Sequence, residues 1–112
     1  MPNKPIALIT GGAQRIGKEL TRTFHQLGYN IALHYNRSEQ AATDLKSELE
    51  SVRKNSIFLY QCDLTNTDDV IAFSDRIFNQ HKNLKLLINN ASAFLPTSLA
   101  ELSSDHWDTL IN

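Results

Sequence analysis

The sequence predicts an α/β fold, a parallel β-sheet with helices on both faces, and two observations carry that expectation. Short apolar runs alternate along the chain with amphipathic stretches of helical period. The runs themselves, such as Ile6–Thr10, show no inside–outside alternation, as expected of strands covered on both faces. A third feature concerns function. In "LITGGAQRIGKEL", Leu8 to Leu20, three glycines fall within seven residues, between a strand-like run and a helix-like one.

Each element follows from the residues in order. Strand Ile6–Thr10 leads into a helix from about Arg15 to Leu27. Its apolar face is Ile16, Leu20, Phe24 and Leu27, and Gly28 supplies the C-terminal cap. A second strand, Asn30–Tyr35, is followed by Ser38 as the cap of a helix that buries Ala42, Leu45, Leu49 and Val52. A third strand, Ile57–Gln61, precedes a helix capped by Thr65 with Asp68, or by Thr67 alone, with Val70, Phe73 and Ile77 inward. The fourth strand is Leu84–Asn89, and a last helix starts near Ser103 and is still in progress at Asn112. The organisation is one domain over residues 1–112. A parallel sheet sets such a last helix against a further strand, so the C-terminal part of the domain reads as missing.

Composition narrows the class of function. The chain has 112 residues, 41% hydrophobic and 21% charged, enough for one core. A formal net charge of −1 gives no electrostatic reason to expect a nucleic acid or an acidic membrane as partner. The single cysteine, Cys62, excludes an internal disulfide and fits a reducing compartment. The apolar runs are too short for a membrane span, and the N-terminus lacks a signal-peptide cleavage pattern, so a cytoplasmic location is expected. His25, His34, His81 and His106 have no ligand-like spacing, which predicts no metal site.

The glycine cluster sits at the first strand-to-helix turn, where backbone can approach a phosphate closely. Gly11 and Gly12 permit a tight turn that leaves room for a ligand, and Gly17 lets the helix pack near the strand. The helix N-terminus then offers free N–H groups and a positive dipole end to a pyrophosphate.

Read from Thr10, the loop is T-G-x-x-x-R-x-G, which resembles the T-G-x-x-x-G-x-G loop of the short-chain dehydrogenases/reductases. "NNAS" at Asn89–Ser92 matches that family's N-N-A-G, and "CDL" at Cys62–Leu64 matches the place of its adenine-facing aspartate. The resemblance implies a Rossmann-type three-layer αβα fold and a nicotinamide cofactor. The implied cofactor-binding residues are Gly11, Arg15, Ile16, Gly17, His34, Asn36, Arg37, Ser38, Asp63, Leu64, Asn90, Ala91 and Ser92.

The end of the second strand bears on which cofactor this is. NAD binders carry an acid there for the ribose hydroxyls, whereas an arginine accommodates a 2′-phosphate. Here the segment is "LHYNRSEQ", with no acid before Glu39 and with His34, Arg37 and Ser38 available, so NADPH is expected. A solvated Arg37 and a purely capping Ser38 are the plainer alternative.

Arg15 stands where most of that family has glycine. A residue of this size must point outward, beside the phosphates and over the substrate cleft, unless it only pairs with Glu19 one turn on. The T-G-x-x-x-R-I-G loop, "LHYNRS" and "NNASAFLPTSL" are similar to the corresponding stretches of pteridine reductases. That narrower resemblance implies a pterin or folate-like substrate contacted by Arg15 and Ser92, with Phe94 stacked on its ring. Core packing beside Leu95 and Pro96 is the other reading of Phe94.

The family's general-acid tyrosine and its partner lysine, Y-x-x-x-K, have no counterpart here. Tyr29, Tyr35 and Tyr60 each lack a lysine four residues on. No catalytic residue is therefore assigned within this chain, and the implied activity belongs to a longer protein. That activity is hydride transfer from NADPH to a C=N bond of a dihydropterin- or dihydrofolate-like ring, by a homo-oligomer, commonly a tetramer. The alternatives are reduction of a carbonyl on another small molecule, and a non-catalytic module that only binds nucleotide.

Overall fold

A computed structural model describes residues 4–91 and 110–111. Strands β1 (Ile6–Thr10), β2 (Asn30–Tyr35), β3 (Ile57–Gln61) and β4 (Leu84–Asn89) alternate with helices α1 (Arg15–Gln26), α2 (Glu39–Glu50) and α3 (Thr67–Gln80). All pairings are parallel, in the order β3-β2-β1-β4, and a two-residue strand β5 (Leu110–Ile111) lies beyond β4 opposite Leu87 and Ile88. The four longer strands and the α/β class are those the sequence predicts. The end of the chain is not: Leu110–Ile111 is strand, pairing with β4, where the sequence predicts helix. The expectations for Ser92, Phe94, Leu95, Pro96, Ser103, His106 and Asn112 lie outside the described residues.

Adjacent residues on each strand enter opposite cores, which is why the strands read as unbroken apolar runs. Ile6 and Leu8 of β1 join Ala32, Leu87 and the inner face of α3, namely Val70, Phe73 and Ile77. Ala7 and Ile9 join Ile31, Leu33, Ile88 and the α2 residues Ala42, Leu45 and Leu49, with Leu20 and Phe24 of α1 packed alongside. Helices thus cover the sheet on both sides. The strand order reverses between β1 and β4, and in open α/β sheets such a switch point opens a crevice at the carboxyl ends of the strands.

Helix α1 departs from the expected face. Ile16 and Leu27 are 71% and 67% exposed, and the fully buried positions are Gly17, Thr21 and His25. The cause is a close approach of the helix to the sheet end at Gly17, which turns the 17–21–25 line inward and leaves the apolar ends of the predicted stripe in solvent. Its exit follows expectation. Gly28 adopts φ 106°, with Gly28 N–H donating to the His25 carbonyl and Tyr29 N–H to that of Phe24. This pattern is a Schellman motif, and the Phe24 and Tyr29 rings pack edge-to-face across it at 5.7 Å.

Two expected caps are corrected. Ser38 occupies the N-cap position of α2, but its hydroxyl makes no cap bond and donates instead to Gln14 Oε1 at 2.9 Å. Helix α3 is capped by Asn66, whose Oδ1 accepts from Asp69 N–H at 3.0 Å, because Thr65 is already engaged by Asp63. Val52, expected in the core, is 76% exposed. Helix α2 stops at Glu50, and Arg53 turns away to donate to the carbonyl oxygens of Tyr29 and His25.

Three buried histidines act as neutral cross-braces. Ser56 Oγ donates to the Arg53 carbonyl, so His25 Nε2 donates to Ser56 at 2.8 Å. The Tyr60 hydroxyl donates to Gln80, so His81 Nε2 donates to Tyr60 at 2.6 Å. His34 makes the third brace, at the strand ends. Burial holds all three below the ordinary histidine pKa, Arg53 adding to the effect at His25. The unfolded chain therefore binds more protons than the folded one as pH falls below 6.5, the ordinary value. Stability is accordingly complete above that pH and lost as pH drops toward the lowered values. Urea unfolding should give a midpoint lower at about pH 5 than at about pH 7; a flat profile across that window would contradict the neutral-brace description.

Candidate functional site

The carboxyl ends of β1 to β4 surround a cavity of about 440 Å³. The β1–α1 turn contributes Gly11, Gln14, Arg15 and Ile16; the end of β2 contributes His34 and Asn36. Asp63 and Leu64 follow β3, and Asn90 and Ala91 follow β4. Nine residues singled out from the sequence are thereby brought together although they span most of the chain. Gly17 lies beneath this lining. Arg37 and Ser38 follow Asn36 without lining the cavity, and Ser92 lies outside the described residues. Gln14 was missed. Its signal was its place in the glycine loop, and it joins that loop to the β2–α2 turn through Ser38.

The site rests on how tightly the glycine loop meets the end of β4. Asn90 Nδ2 donates to the Gly11 carbonyl at 3.0 Å, and a Cβ on Gly17 would collide with that carbonyl and with the Asn90 amide. Gly11 itself takes φ 62°, a left-handed conformation that glycine adopts without cost. Gly12 has another reason to be glycine than the expected ligand clearance. It is buried, and a Cβ there would press on Leu33 Cδ1 at 2.5 Å and Thr21 Oγ1 at 2.8 Å, so it serves the core. Thr21 Oγ1 lies 3.0 Å from the Gly12 carbonyl and 2.9 Å from that of Gly17, fastening the first turn of α1 to the loop.

Thr10, fully buried, joins β1 to β4. Its Oγ1 accepts from Asn90 N–H at 2.9 Å and Ala91 N–H at 3.2 Å, and donates to the Ile88 carbonyl at 3.4 Å. His34 joins β2 to both neighbours: Nδ1 accepts from Gly11 N–H at 2.9 Å, which leaves Nε2 to donate to the Cys62 carbonyl at 2.8 Å. At the outer edge, Gln61 Nε2 donates to the Asn36 carbonyl at 3.1 Å.

The electrostatics favour an anion. Helix α1 begins at the cavity with Gln14 as N-cap, no side-chain cap bond and no acid in its first turn. By contrast α2 opens with Glu39, and α3 has Asn66 with Asp68 and Asp69. The unanswered N–H groups and positive dipole end of α1 thus lie at the cavity. Among the described residues that line it, the one carboxylate is Asp63, held below the usual range first by the Thr65 hydroxyl at 2.6 Å, then by Thr65 N–H, with the Arg37 charge acting in the same direction. Arg15 is exposed at the cavity, and its expected alternative partner is taken: Glu19 pairs with Arg22 at 2.7 Å. Arg15 also adopts φ 55°, a left-handed conformation unusual for a side-chain-bearing residue. Cys62, buried behind the site, has its thiol pushed up to about 11 by burial and nearby carboxylates and is inert at neutral pH.

A parallel sheet with a switch point, a glycine turn and an uncapped helix at the crevice define a dinucleotide-binding class of domain. Comparison with known proteins specifies it further. The family model described as short chain dehydrogenase matches residues 5–112. The chain belongs to that family, whose members are oxidoreductases binding nicotinamide cofactors. Pteridine reductase 1 of Leishmania tarentolae is 35% identical over 115 residues, covering 88% of this chain and 40% of that protein. The 3-oxoacyl-(acyl-carrier-protein) reductase FabG of Staphylococcus aureus strain Mu50 is 28% identical over 106 residues, covering 95% and 43%. Putative oxidoreductase YtkK of Bacillus subtilis is 28% identical over 103 residues, covering 90% and 40%. The chain spans about two-fifths of the length of these relatives.

Replacing Thr10 by Val keeps the shape and removes the hydroxyl, leaving two N–H groups without an acceptor. The expected loss is about 2 kcal/mol, read from urea unfolding; a loss within error would show that water replaces the hydroxyl. Arg15→Gly removes the left-handed strain and should raise stability by about 0.5–1 kcal/mol in the same assay, with no gain if the side chain's contacts outweigh the strain.

Proposed function

We propose that this chain is the cofactor-binding part of an NADPH-dependent reductase, cytoplasmic and oligomeric, that acts on a dihydropterin- or dihydrofolate-like ring. The observation that carries the cofactor half is the uncapped N-terminus of α1 at a cavity whose one carboxylate among the described lining residues, Asp63, is already engaged by Thr65. A diphosphate answers those N–H groups. Gly11 and Gly17 permit the close backbone approach, and Asp63 and Leu64 border the adenosine end. Arg37 and Ser38, beside Asn36 at the end of β2, suit a 2′-phosphate: a guanidinium bonds phosphate oxygens in pairs, and no acid precedes Glu39 in this segment. When bound, the cofactor supplies the hydride; this chain's residues orient it and exclude water.

The substrate half rests on Arg15. Its exposed guanidinium at the cavity can donate to an electron-rich ring heteroatom, and the resemblance of its loop to that of pteridine reductases, with 35% identity to one of them, supports a pterin. Ser92 and Phe94 complete this reading as the substrate's hydrogen-bond and stacking partners. In the full-length protein, NADPH should bind more tightly than NADH, and Arg37→Ala should weaken NADPH about 10- to 100-fold while leaving NADH nearly unchanged. Equal losses would defeat the 2′-phosphate assignment. Dihydropterin-dependent oxidation of NADPH, inhibited by methotrexate, is the expected activity. Turnover of a 3-oxoacyl substrate instead would move the assignment to carbonyl reduction, and saturable binding with no turnover would leave a nucleotide-binding module.

A further inference from the structure

His34 is 2% exposed, borders the cavity, and is bonded at both ring nitrogens to backbone of two other segments. An N–H donor at Nδ1 and a carbonyl acceptor at Nε2 admit one state of the ring, the neutral Nε2–H tautomer. Protonation would place a second N–H directly against that of Gly11, two donors face to face. Gly11 is the residue whose carbonyl receives Asn90 and lies against Gly17, so movement there is passed to the first turn of α1 and to the β4 exit. We propose that His34 is a positioning residue of the nucleotide site. Its neutral imidazole holds the glycine loop in the shape that accepts a dinucleotide, and its protonation in mildly acidic conditions releases that loop and weakens binding. The inference rests on the nucleotide-binding reading above and concerns how that same site is regulated.

The surroundings oppose a charge on the ring. Tyr60 is its register partner on β3, and Phe73 of α3 packs on it at 5.5 Å between ring centroids. Burial raises the Tyr60 hydroxyl and the neighbouring Cys62 thiol above their ordinary values, so both are neutral. The charged groups nearby are Arg15 from the β1–α1 turn and Asp63 after β3, which share the cavity, and Asp69 and Arg76 of α3, which act on Cys62. Asp63 is turned to Thr65. Burial therefore lowers the His34 pKa, opposed only by its bond to the Cys62 carbonyl.

The test uses the full-length protein, its His34→Gln and His34→Phe variants, and NADPH and NADH as probes. Glutamine can accept from Gly11 with its oxygen and donate to Cys62 with its amide, without titrating near neutrality; phenylalanine can do neither. Nitrogen NMR of the imidazole should report the Nε2–H tautomer at pH 7.5 and a titration below that of free histidine. Between about pH 7.5 and about pH 5, both dissociation constants should rise severalfold more in the wild type than in His34→Gln. His34→Phe should bind weakly at every pH. The 2′-phosphate itself titrates near pH 6, but equally in all three proteins, and NADH lacks it. An Nδ1–H or cationic ring at pH 7.5, or the same pH profile in wild type and His34→Gln, overturns the proposal. If the wild type binds neither nucleotide at any pH, the nucleotide-site reading falls first and this inference with it.

Discussion

The architecture depends on a contact between two backbones, the carbonyl of Gly11 lying where any side chain on Gly17 would have to be. The loss of one Cβ lets the first turn of α1 sit directly on the end of the sheet. From that contact follow the inward line Gly17–Thr21–His25, the exposure of Ile16, and the position of an uncapped helix end over the strand termini. Asn90 and Thr21 complete the clamp by bonding the same loop from β4 and from within the helix. The cavity is what remains between elements pinned this closely.

Polar groups do the pinning at the site, and each is satisfied by backbone. Thr10 serves β4, His34 serves the glycine loop and the end of β3, and Asp63 serves the turn into α3. Directional bonds of this kind fix strand ends to within the tolerance a ligand requires, which apolar packing alone does not. The same economy appears at the opposite end of the sheet, where Arg53 answers carbonyl oxygens of Tyr29 and His25, and His25 and His81 close two further braces.

Arg15 shows why a local rule is broken at a site. A left-handed arginine opposes backbone preference, and no ion pair to Glu19 compensates it, since Glu19 serves Arg22. Such strain clusters at functional sites, and Arg15 lines the cavity.

The sequence by itself determined the element order through β4, all four main strands with their limits, the parallel α/β class, the Gly28 helix stop and most of the cavity lining. Those features follow from local chemistry: unbroken apolar runs for doubly covered strands, 3.6-residue periodicity for helices, and glycine at a left-handed helix exit. Tertiary structure alone decided which face of α1 is buried, because periodicity proposes an apolar stripe but the Gly17 contact sets the helix's rotation. It decided that Ser38 serves Gln14 and that Asn66 caps α3, because a hydroxyl goes to whichever partner the fold brings nearest. It also decided the roles of Thr10 and His34, whose partners lie 78, 80 and 81 residues away for Thr10 and 23 and 28 away for His34. Sequence spacing carries no trace of such pairings, since they exist only once parallel strands from distant parts of the chain have been laid side by side.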